Sequence, residues 1–317
     1  MSLINKTAIL IITYNRSELL LKCLESCIKQ STQSDHILIY DNGSNSYHSN
    51  TILKFIGYQK VISFNEDLKK TFYFLENKIT YYRKKENDGP APAFRDGLRL
   101  SLKFNTEFIW VMDDDALPAN NALQKLLINN SYDLSNCLVL NEKNKDELCF
   151  NLYCRENKVA INLKSESIYY SKNNIIEGWA HIFNGSLLKS SAIKKIGFPL
   201  KELNGWGLEV EYLHRLINSG FKVATVVNSE IYHPKSRLKY INVSKNIRYL
   251  DLPVTKFQIY YTNLFYILLK YNFKKFIKIF ILTNLALLLK IELHKFLIFN
   301  FSLISSIKLL IKINLKK

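Results

Sequence analysis

Three consecutive aspartates, Asp113, Asp114 and Asp115, directly follow the mainly apolar run 107–112. Apolar and β-branched residues bounded by a turn are typical of a buried strand, so the pattern places three carboxylates at the rim of a sheet. Like charges this close repel one another, and a cation relieves that repulsion. Oxygen ligands of this kind suit Mg²⁺ or Mn²⁺, usually shared with substrate phosphates. The alternative is a solvated acidic turn that holds no metal.

Four polar clusters share this position at the end of a predicted strand. The predicted strands are residues 8–12, 36–40, 79–82 and 107–112, and the clusters after them are 13–16, 41–44, 87–88 and 113–115. Predicted helices at 17–29 and 94–104 alternate with the strands, which favours an α/β sheet with helices on both faces. Ligands bind beyond the carboxyl ends of the strands in such sheets. The clusters therefore predict one shared site at that edge.

The remaining pattern is less regular. Residues 131–175 are polar and predict strands or an insertion that shapes an acceptor pocket. Asn15 and Glu18 have the spacing of a capping box before the first helix. The segments with a clear pattern further along are a strand and turn at 179–186, helices at 187–196 and 209–219, each followed by glycine, and a strand at 221–227.

Composition points to an anionic partner. The chain of 317 residues carries 44 basic and 27 acidic residues, a net charge of +17. Its five cysteines are odd in number and contain no CxxC pair, so a disulfide framework or zinc site is not expected, and reduced thiols fit a cytosolic setting. The N-terminus lacks an apolar segment with a cleavage site, and we expect no signal peptide.

The C-terminal segment 249–317 differs in kind, because it holds eleven lysines, no arginine and only two acids. Its uncharged runs at 279–289 and 296–307 have 11 and 12 residues, short of the roughly 20 that a spanning helix needs. Lysines on one helical face opposite phenylalanines predict amphipathic helices that lie on an anionic membrane surface. A helical subdomain packed into a core is the alternative. Nucleic acid is not expected, since the lysines alternate with aliphatic runs.

Five motifs stand in order along the chain. They are Ile-Ile-Thr-Tyr-Asn-Arg at 11–16, Tyr-Asp-Asn-Gly-Ser at 40–44, the DxD-like segment at 110–116, the segment at 206–215 that begins Trp-Gly-Leu-Glu, and Glu-Ile-Tyr-His at 230–233. These motifs resemble family 2 glycosyltransferases of the GT-A fold, a Rossmann-like mixed α/β sheet with helices on both faces. The overall pattern is most similar to bacterial galactofuranosyl- and rhamnosyltransferases, over roughly residues 7–235.

The resemblance implies a metal site and a nucleotide-sugar site. The metal, Mn²⁺ or Mg²⁺, would be held by Asp113, Asp115 and His233. The alternative for His233 is a structural, hydrogen-bonded histidine at the end of a strand. The residues implied in nucleotide-sugar binding are Thr13, Tyr14, Asn15, Arg16, Asp41, Asn87, Asp88, Arg95, Asp113 and Asp114. The alternative for several of these residues is a purely structural role in a helix cap or a turn.

Inverting transfer needs a general base that removes the proton from the acceptor hydroxyl. Motif position implies Glu209, but Leu208 stands where the family has an acid, so Glu211 stays a second possibility. Glu211 could instead contact the acceptor or pair with Arg215. Trp206 would stack on a sugar of the acceptor or pack as a buried aromatic.

These inferences predict an inverting, metal-dependent glycosyltransferase with a nucleotide-diphosphate sugar as donor. Residues 1–248 would form the GT-A domain and residues 249–317 a membrane-associating tail at the cytoplasmic face of a bacterial cell membrane. The acceptor would be a lipid-linked glycan of a capsule, lipopolysaccharide or similar polymer. The alternatives are a nucleotidyltransferase and a catalytically inactive, membrane-associated protein that binds carbohydrate or nucleotide.

Overall fold

The computed structural model describes residues 6–57, 68–74, 77–235, 239–244 and 247–315. The expectation of no signal peptide concerns the N-terminus, of which residues 1–5 lie outside the described residues. The strands are β1 Thr7–Thr13, β2 His36–Asp41, β3 Leu68–Phe74, β4 Asn77–Arg83, β5 Phe108–Asp113, β6 Leu117–Pro118, β7 Leu134–Asn141, β8 Glu147–Cys154, β9 Val159–Leu163, β10 Ile175–Glu177, β11 Ser186–Lys189, β12 Val223–His233, β13 Tyr240–Ser244 and β14 Ile247–Leu250. The helices are α1 Ser17–Ile28, α2 Ser46–Phe55, α3 Pro90–Ser101, α4 Ala122–Ile128, α5 Lys164–Tyr170, α6 Ser190–Ile196, α7 Leu208–Asn218, α8 Val254–Tyr271, α9 Phe273–Leu289 and α10 Leu293–Asn314.

The chain divides into two compact units. The first comprises Met1–Pro199 and Arg215–Ser236, and the second comprises Leu200–His214 and Arg237–Lys317. The predicted division at residue 248 stays a prediction.

One sheet organises the first unit, with the strand order β10-β12-β7-β11-β5-β1-β2-β4-β3. Its centre is parallel, because β1 pairs in parallel with both β2 and β5, and β2 pairs in parallel with β4. Every residue of β1 is buried, as its uninterrupted apolar sequence requires of a central strand. The predicted α/β sheet is therefore confirmed.

The segment around residue 187 differs from its prediction. Leu187 and Leu188 belong to β11, which pairs antiparallel with β5 and with β7, and helix α6 begins only at Ser190. Residues 179–185 form no strand. A short apolar run suits a strand and a helix equally well, and here the pairing of both edges of β11 decides the outcome.

The predicted capping box is also wrong. The residue that precedes α1 is Arg16, and no side chain caps the helix. Asn15 has a φ of 53°, and its side-chain oxygen accepts a hydrogen bond of 2.9 Å from the backbone N–H of Asn45. Asn15 therefore ties the turn after β1 to the start of α2.

Residues 131–175 form β7, the β8–β9 hairpin, α5 and the start of β10. β7 lies inside the sheet with all of its residues buried, and β8 continues the sheet from β7 through the pair Leu140 and Leu148. The strands predicted for this stretch are present. Their role in an acceptor pocket stays a prediction.

β12 contains a break in register. Val226 pairs with Cys137 of β7, but the next paired residue of β12 is Glu230, opposite Leu138. The bulged segment is anchored by the buried Ser229, whose hydroxyl donates a hydrogen bond of 2.8 Å to the carbonyl oxygen of Ala122. The break leaves His233 opposite Asn141 at the end of the strand.

The second unit has its own hydrophobic core. Helices α8, α9 and α10 pack with the β13–β14 hairpin around Phe257, Tyr261, Phe265 and Phe299. The aromatic rings meet edge-on or tilted, as in the pair of Phe265 and Phe299, whose centroids lie 5.0 Å apart. This core confirms that the C-terminal segment is helical.

Helix α10 corrects the inference drawn from uncharged runs. It has 22 residues and a mean hydropathy of 1.8 in its most apolar stretch, which makes it long and apolar enough to cross a membrane by length and composition alone. Only 22% of that stretch is buried. The length of the uncharged run underestimates the length of α10, because Lys295 and Lys308 end the uncharged run but lie inside the helix.

Candidate active site

The parallel register brings the ends of three strands to one edge of the sheet. Thr13 of β1 pairs with Asp41 of β2, and Ile12 of β1 pairs with Asp113 of β5. Thr13, Asp41 and Asp113 are the last residues of their strands. The convergence predicted from the sequence is therefore present at the backbone level.

The short strand β6 carries the chain from the aspartates to β12. Leu117 pairs with Tyr232, and Pro118 pairs with Ile231, in an antiparallel arrangement. This pairing brings Asp115 Oδ1 to 3.0 Å from His233 Nε2. Asp113, Asp115 and His233 each offer one ligand atom within 4.8 Å of the others.

Asp114 is held by other protein groups. Its Oδ2 accepts a hydrogen bond of 2.7 Å from the hydroxyl of Thr13, and its Oδ1 lies 3.2 Å from Arg16 Nη1. The same Nη1 lies 3.1 Å from Asp115 Oδ2. Arg16 therefore bridges two carboxylates while about half of its side chain stays exposed. Asp114 therefore orders the turn through its contacts with Thr13 and Arg16.

The orientation of the His233 imidazole is fixed by contacts on its Nδ1 side. Its Nδ1 lies 2.7 Å from the carbonyl oxygen of Pro234, and because a carbonyl only accepts, the ring N–H is at Nδ1 and donates there. The thiol of Cys149 donates to the same carbonyl at 3.2 Å. Phe150 packs against the ring with the centroids 5.3 Å apart. This hydrogen bond directs Nε2 toward Asp115, as the second nitrogen of metal-binding histidines is usually fixed.

Burial and repulsion shift the ionisation of the cluster. Burial, followed by the charge of Asp115, raises the pKa of Asp113 to about 7. Burial raises the pKa of Asp114 to about 6, although hydrogen bonds from Thr13 and Arg16 oppose it. Burial also acts to raise the pKa of Asp115, but His233 and Arg16 hold it below its usual value. Burial lowers the pKa of His233, and Asp115 outweighs it and raises that pKa to about 11.

The donor set fits a divalent cation. Asp115 Oδ1 is buried and faces His233 Nε2 at 3.0 Å, so either a proton or a cation must lie between these two atoms. Two carboxylates and one imidazole suit Mn²⁺, and carboxylates also suit Mg²⁺. A cation here would offset the burial and the repulsion from Asp115 that together raise the pKa of Asp113 to about 7.

A cleft of about 300 Å³ opens beside the aspartates. Its lining residues are Ile12, Thr13, Tyr14, Arg16, Asn42, Asn87, Gly89, Pro90, Phe94, Asp113 and Asp114. Asn42 was missed as a site residue, although the motif at 40–44 contains it. Its side-chain amide donates to Asn87 Oδ1 at 2.9 Å and to the carbonyl oxygen of Gly89 at 3.0 Å. Asn42 thus joins the loop after β2 to the loop before α3.

Asp41 is fully buried and is used inside the fold. Its carboxylate accepts hydrogen bonds from the backbone N–H of Ser44 at 2.7 Å and from the hydroxyl of Tyr81 at 2.5 Å. Burial raises its pKa, while these bonds oppose the shift. The turn it shapes approaches the backbone of Glu86 so closely that a Cβ on Gly43 would lie 2.6 Å from a carbonyl carbon. Asp41 therefore supports the wall of the cleft.

The other predicted nucleotide-sugar residues divide by position. Tyr14 lines the cleft and is 43% exposed, whereas Asn15 faces Asn45 and Ser44. Asp88 forms an ion pair with Lys84. Arg95 is half-buried on α3 and is not among the residues that line the cleft.

Trp206, Glu209 and Glu211 belong to the second unit. Glu211 is fully buried, and its Oε1 accepts a hydrogen bond of 3.0 Å from the hydroxyl of Tyr271 and lies 3.3 Å from Lys270 Nζ. Glu209 is half-buried, and burial raises its pKa. Trp206 is half-buried and meets Tyr260 edge-on, with the centroids 5.8 Å apart.

Comparison with known sequences gives consistent matches. Residues 8–129 match the profile of glycosyl transferase family 2. The chain is similar to galactofuranosyltransferase GlfT1 of Mycolicibacterium smegmatis, with 27% identity over 231 residues, 71% of this chain and 69% of the relative. It is also similar to galactofuranosyltransferase GlfT1 of Mycobacterium tuberculosis, with 26% identity over 228 residues, 71% of this chain and 68% of the relative.

Solved structures give the same fold. GalNAc-T7, solved with UDP, GalNAc and Mn²⁺, superposes with a TM-score of 0.54 at 15% identity, over 74% of this chain and 44% of that one. The mannosyltransferase PcManGT of Pyrobaculum calidifontis, solved with GDP-Man and Mn²⁺, has a TM-score of 0.51 at 16% identity, over 84% of this chain and 63% of that one. The chain thus spans less than two thirds of either structure. At these identities the likeness establishes the fold, which is GT-A.

Proposed function

Because the chain is a glycosyltransferase with a family 2 domain of the GT-A fold, we propose that it transfers a hexosyl group from a nucleotide-diphosphate sugar with inversion at the anomeric carbon. The acceptor is a hydroxyl of a lipid-linked glycan in bacterial surface polysaccharide synthesis. The similarity to galactofuranosyltransferases supports a hexose donor and a cell-surface polymer.

One observation carries the proposal, namely the cluster of Asp113, Asp115 and His233 beside the cleft. A divalent cation held there would neutralise the charge that grows on the diphosphate as the glycosidic bond breaks. Arg16 lines the same cleft and is half exposed, so its guanidinium can reach a phosphate as well. Tyr14 and Asn42 offer a ring and an amide to the nucleoside end of the donor.

Glu209 is the general base in this proposal. Its pKa is raised by burial, which improves a carboxylate as a proton acceptor near neutral pH. No ion pair holds Glu209 among the described residues, and the hydrogen bonds to its carboxylate come from the backbone of Gly207 and of Glu209 itself. Glu211 is the weaker choice because it is fully buried and already binds Tyr271 and Lys270.

Membrane association is the second part of the proposal. Helices α9 and α10 carry exposed apolar side chains about one turn apart, which a soluble unit normally keeps inside. On α10 these side chains are Leu293, Leu297, Phe301, Ile304, Ile307 and Ile311, and Leu315 lies just beyond its end. Exposed lysines flank them, including Lys274, Lys275 and Lys278 on α9. This pattern supports insertion of apolar faces into a bilayer with anionic headgroups.

The test is a thermal-shift screen of nucleotide sugars with and without Mn²⁺. Binding to the folded state raises the melting temperature by mass action, so the correct donor should stabilise the protein only when the metal is present. Asp115→Asn should abolish the metal-dependent part of the shift, and Asp96→Asn, at a half-buried site on α3 that pairs with Arg99, should keep it. A panel of donors that gives no shift with any metal would contradict the proposal.

A further inference from the structure

We propose that helix α8 is a positioning element for the general base, and that Asn263, Lys270 and Tyr271 are its positioning residues. The inference rests on the proposed role of Glu209 and extends it to a helix that the sequence assigns to a membrane tail. Glu209 lies in the first turn of α7, and contacts from α8 are found on both sides of it in the chain.

The loop before Glu209 is held by one amide. Asn263 Nδ2 donates to the carbonyl oxygen of Trp206 at 2.7 Å and to that of Asn204 at 3.2 Å. Asn263 is buried, so both of its donor bonds are made away from water, where losing them is costly. The two carbonyls lie in the loop that leads directly into α7, and the amide fixes the direction in which the helix starts.

The backbone at Gly207 is pressed against the same helix. Gly207 has a φ of 89°, and a Cβ built on it would lie 2.8 Å from Ile267 Cδ1 and 3.7 Å from Asn263 Cβ. A side chain at this position would be strained by its backbone conformation and would have to displace the end of the Ile267 side chain on α8. The close approach sits two residues before Glu209, so a shift of α8 would displace the base.

The chain after Glu209 is held by a buried charge. Glu211 has no exposed surface, and it binds the hydroxyl of Tyr271 and the ammonium group of Lys270. The ring of Tyr271 also stacks on His214, with centroids 5.1 Å apart and an interplanar angle of 15°. A buried carboxylate that loses its cation is strongly destabilised, so this pair defines the rotation of α7 about its axis.

These contacts come from one face of α8. The residues are Tyr260, Asn263, Ile267, Lys270 and Tyr271, at spacings of three, four, three and one. Such spacing aligns side chains on a single helical stripe. The stripe touches positions 204, 206 and 207 before the base and 211 and 214 after it. Glu209 is therefore bracketed by α8, and a misplacement of even 1 Å can cost about 100-fold in rate.

The experiment measures steady-state transfer and donor binding for Lys270→Met, Tyr271→Phe and Asn263→Ala. The expected result is a fall in kcat of about 10- to 100-fold, with Kd for the donor and Mn²⁺ within about twofold of wild type. Lys270→Arg should restore most of kcat because it keeps the charge beside Glu211. Lys256→Met, an exposed lysine on the same helix, is the matched control and should behave as wild type.

Different outcomes test the positioning role of α8, the assignment of Glu209 as the base, and the proposed function. Wild-type kcat in folded Lys270→Met and Tyr271→Phe overturns the inference, as does a failure of Lys270→Arg to exceed Lys270→Met. Tyr271→Phe keeps the ring on His214 and removes only the hydroxyl, so it tests the contact if Lys270→Met does not fold. Activity in Glu209→Gln would instead overturn the assignment of the base. Absence of transfer by the wild-type chain with every donor would overturn the proposed function.

Discussion

Asp115 Oδ1 lies 3.0 Å from His233 Nε2, although β11 and β7 separate β5 from β12 in the sheet. The contact exists because β6 leaves the aspartate turn and pairs with the end of β12. The candidate metal site therefore depends on two strand ends and a two-residue strand that joins them. Burial and neighbouring charges shift the pKa values of this cluster strongly, so metal binding should depend on Asp115 and on pH.

Asp115→Asn should abolish metal binding. The substitution removes the charge that faces both His233 and Arg16 while keeping the size of the side chain. We expect Mn²⁺ affinity and transfer activity to fall by at least about 100-fold, as for loss of a ligand rather than of a group behind one. Mn²⁺ binding followed by electron paramagnetic resonance measures the affinity. Asp96→Asn serves as the control, and Mn²⁺ affinity equal to wild type in Asp115→Asn would refute the site.

Metal affinity should rise with pH between about 5.5 and 8. Asp113 has a pKa of about 7 and His233 of about 11 in the metal-free site, so both carry protons that a cation must displace. Lowering the pH through 7 protonates Asp113 further and weakens binding. Isothermal titration in buffers of different ionisation enthalpy measures the protons released. Proton release close to zero across this range would contradict the prediction.

His181 should make the folded state sensitive to acid. Burial, followed by the charge of His233, lowers its pKa to about 3 from the ordinary value of 6.5. Its ring stacks on Phe150 with centroids 3.8 Å apart, and Nδ1 is buried without a described hydrogen-bond partner. Below pH 6.5 the unfolded state takes up a proton that the folded state refuses, so stability falls as pH drops.

The expected loss between pH 7 and pH 5 is on the order of 1–2 kcal/mol in the free energy of unfolding. Denaturant unfolding at both values measures it, and His181→Phe should reduce the difference because the variant has no group to protonate. A difference that is equally large in His181→Phe would assign the acid sensitivity to other groups.

Replacement of the exposed apolar residues on α10 should release the protein from membranes. Serine at Leu297, Phe301, Ile304 and Ile311 removes side chains that are at least half exposed and that contribute little to the core. We expect cosedimentation with vesicles of mixed neutral and anionic lipid to fall at least tenfold, since each buried CH₂ contributes roughly 0.8 kcal/mol. Serine at Ile168 and Tyr169 of α5, also exposed, is the control. Unchanged sedimentation of the α10 variant would refute the membrane role of this helix.

The sequence was sufficient for the elements with strong local patterns. β1, β2 and β5 are unbroken apolar runs, and their ends place Thr13, Asp41 and Asp113 at one edge. Leu187 and Leu188 were assigned to the wrong element because their strand is specified by partners on both sides rather than by its own residues.

For the candidate site as well, the sequence predicts what depends on neighbouring residues and misses what depends on residues far along the chain. Asp113, Asp115 and His233 were grouped through the motifs of a family, and the structure brings them within 4.8 Å. The burial of Asp41 beneath Tyr81 and that of Glu211 beside Lys270 had no signal in the sequence. Whether a carboxylate faces solvent or a buried partner depends on residues far along the chain, and a motif records only its neighbours.

The register break in β12 has a consequence for how this site tolerates changes in chain length. Between Val226 and Glu230 the strand takes up three residues that have no partner on β7. Had the initial register continued, Glu230 would stand opposite Asn141, where His233 stands now. Deletion of those three residues would join Val226 to Glu230 in an unbroken ladder, and Glu230 would still pair with Leu138 and His233 with Asn141. Loss of the bulge would therefore remove the Ser229 anchor and yet keep His233 at the site, whereas drawing its three residues into the ladder would move the imidazole away.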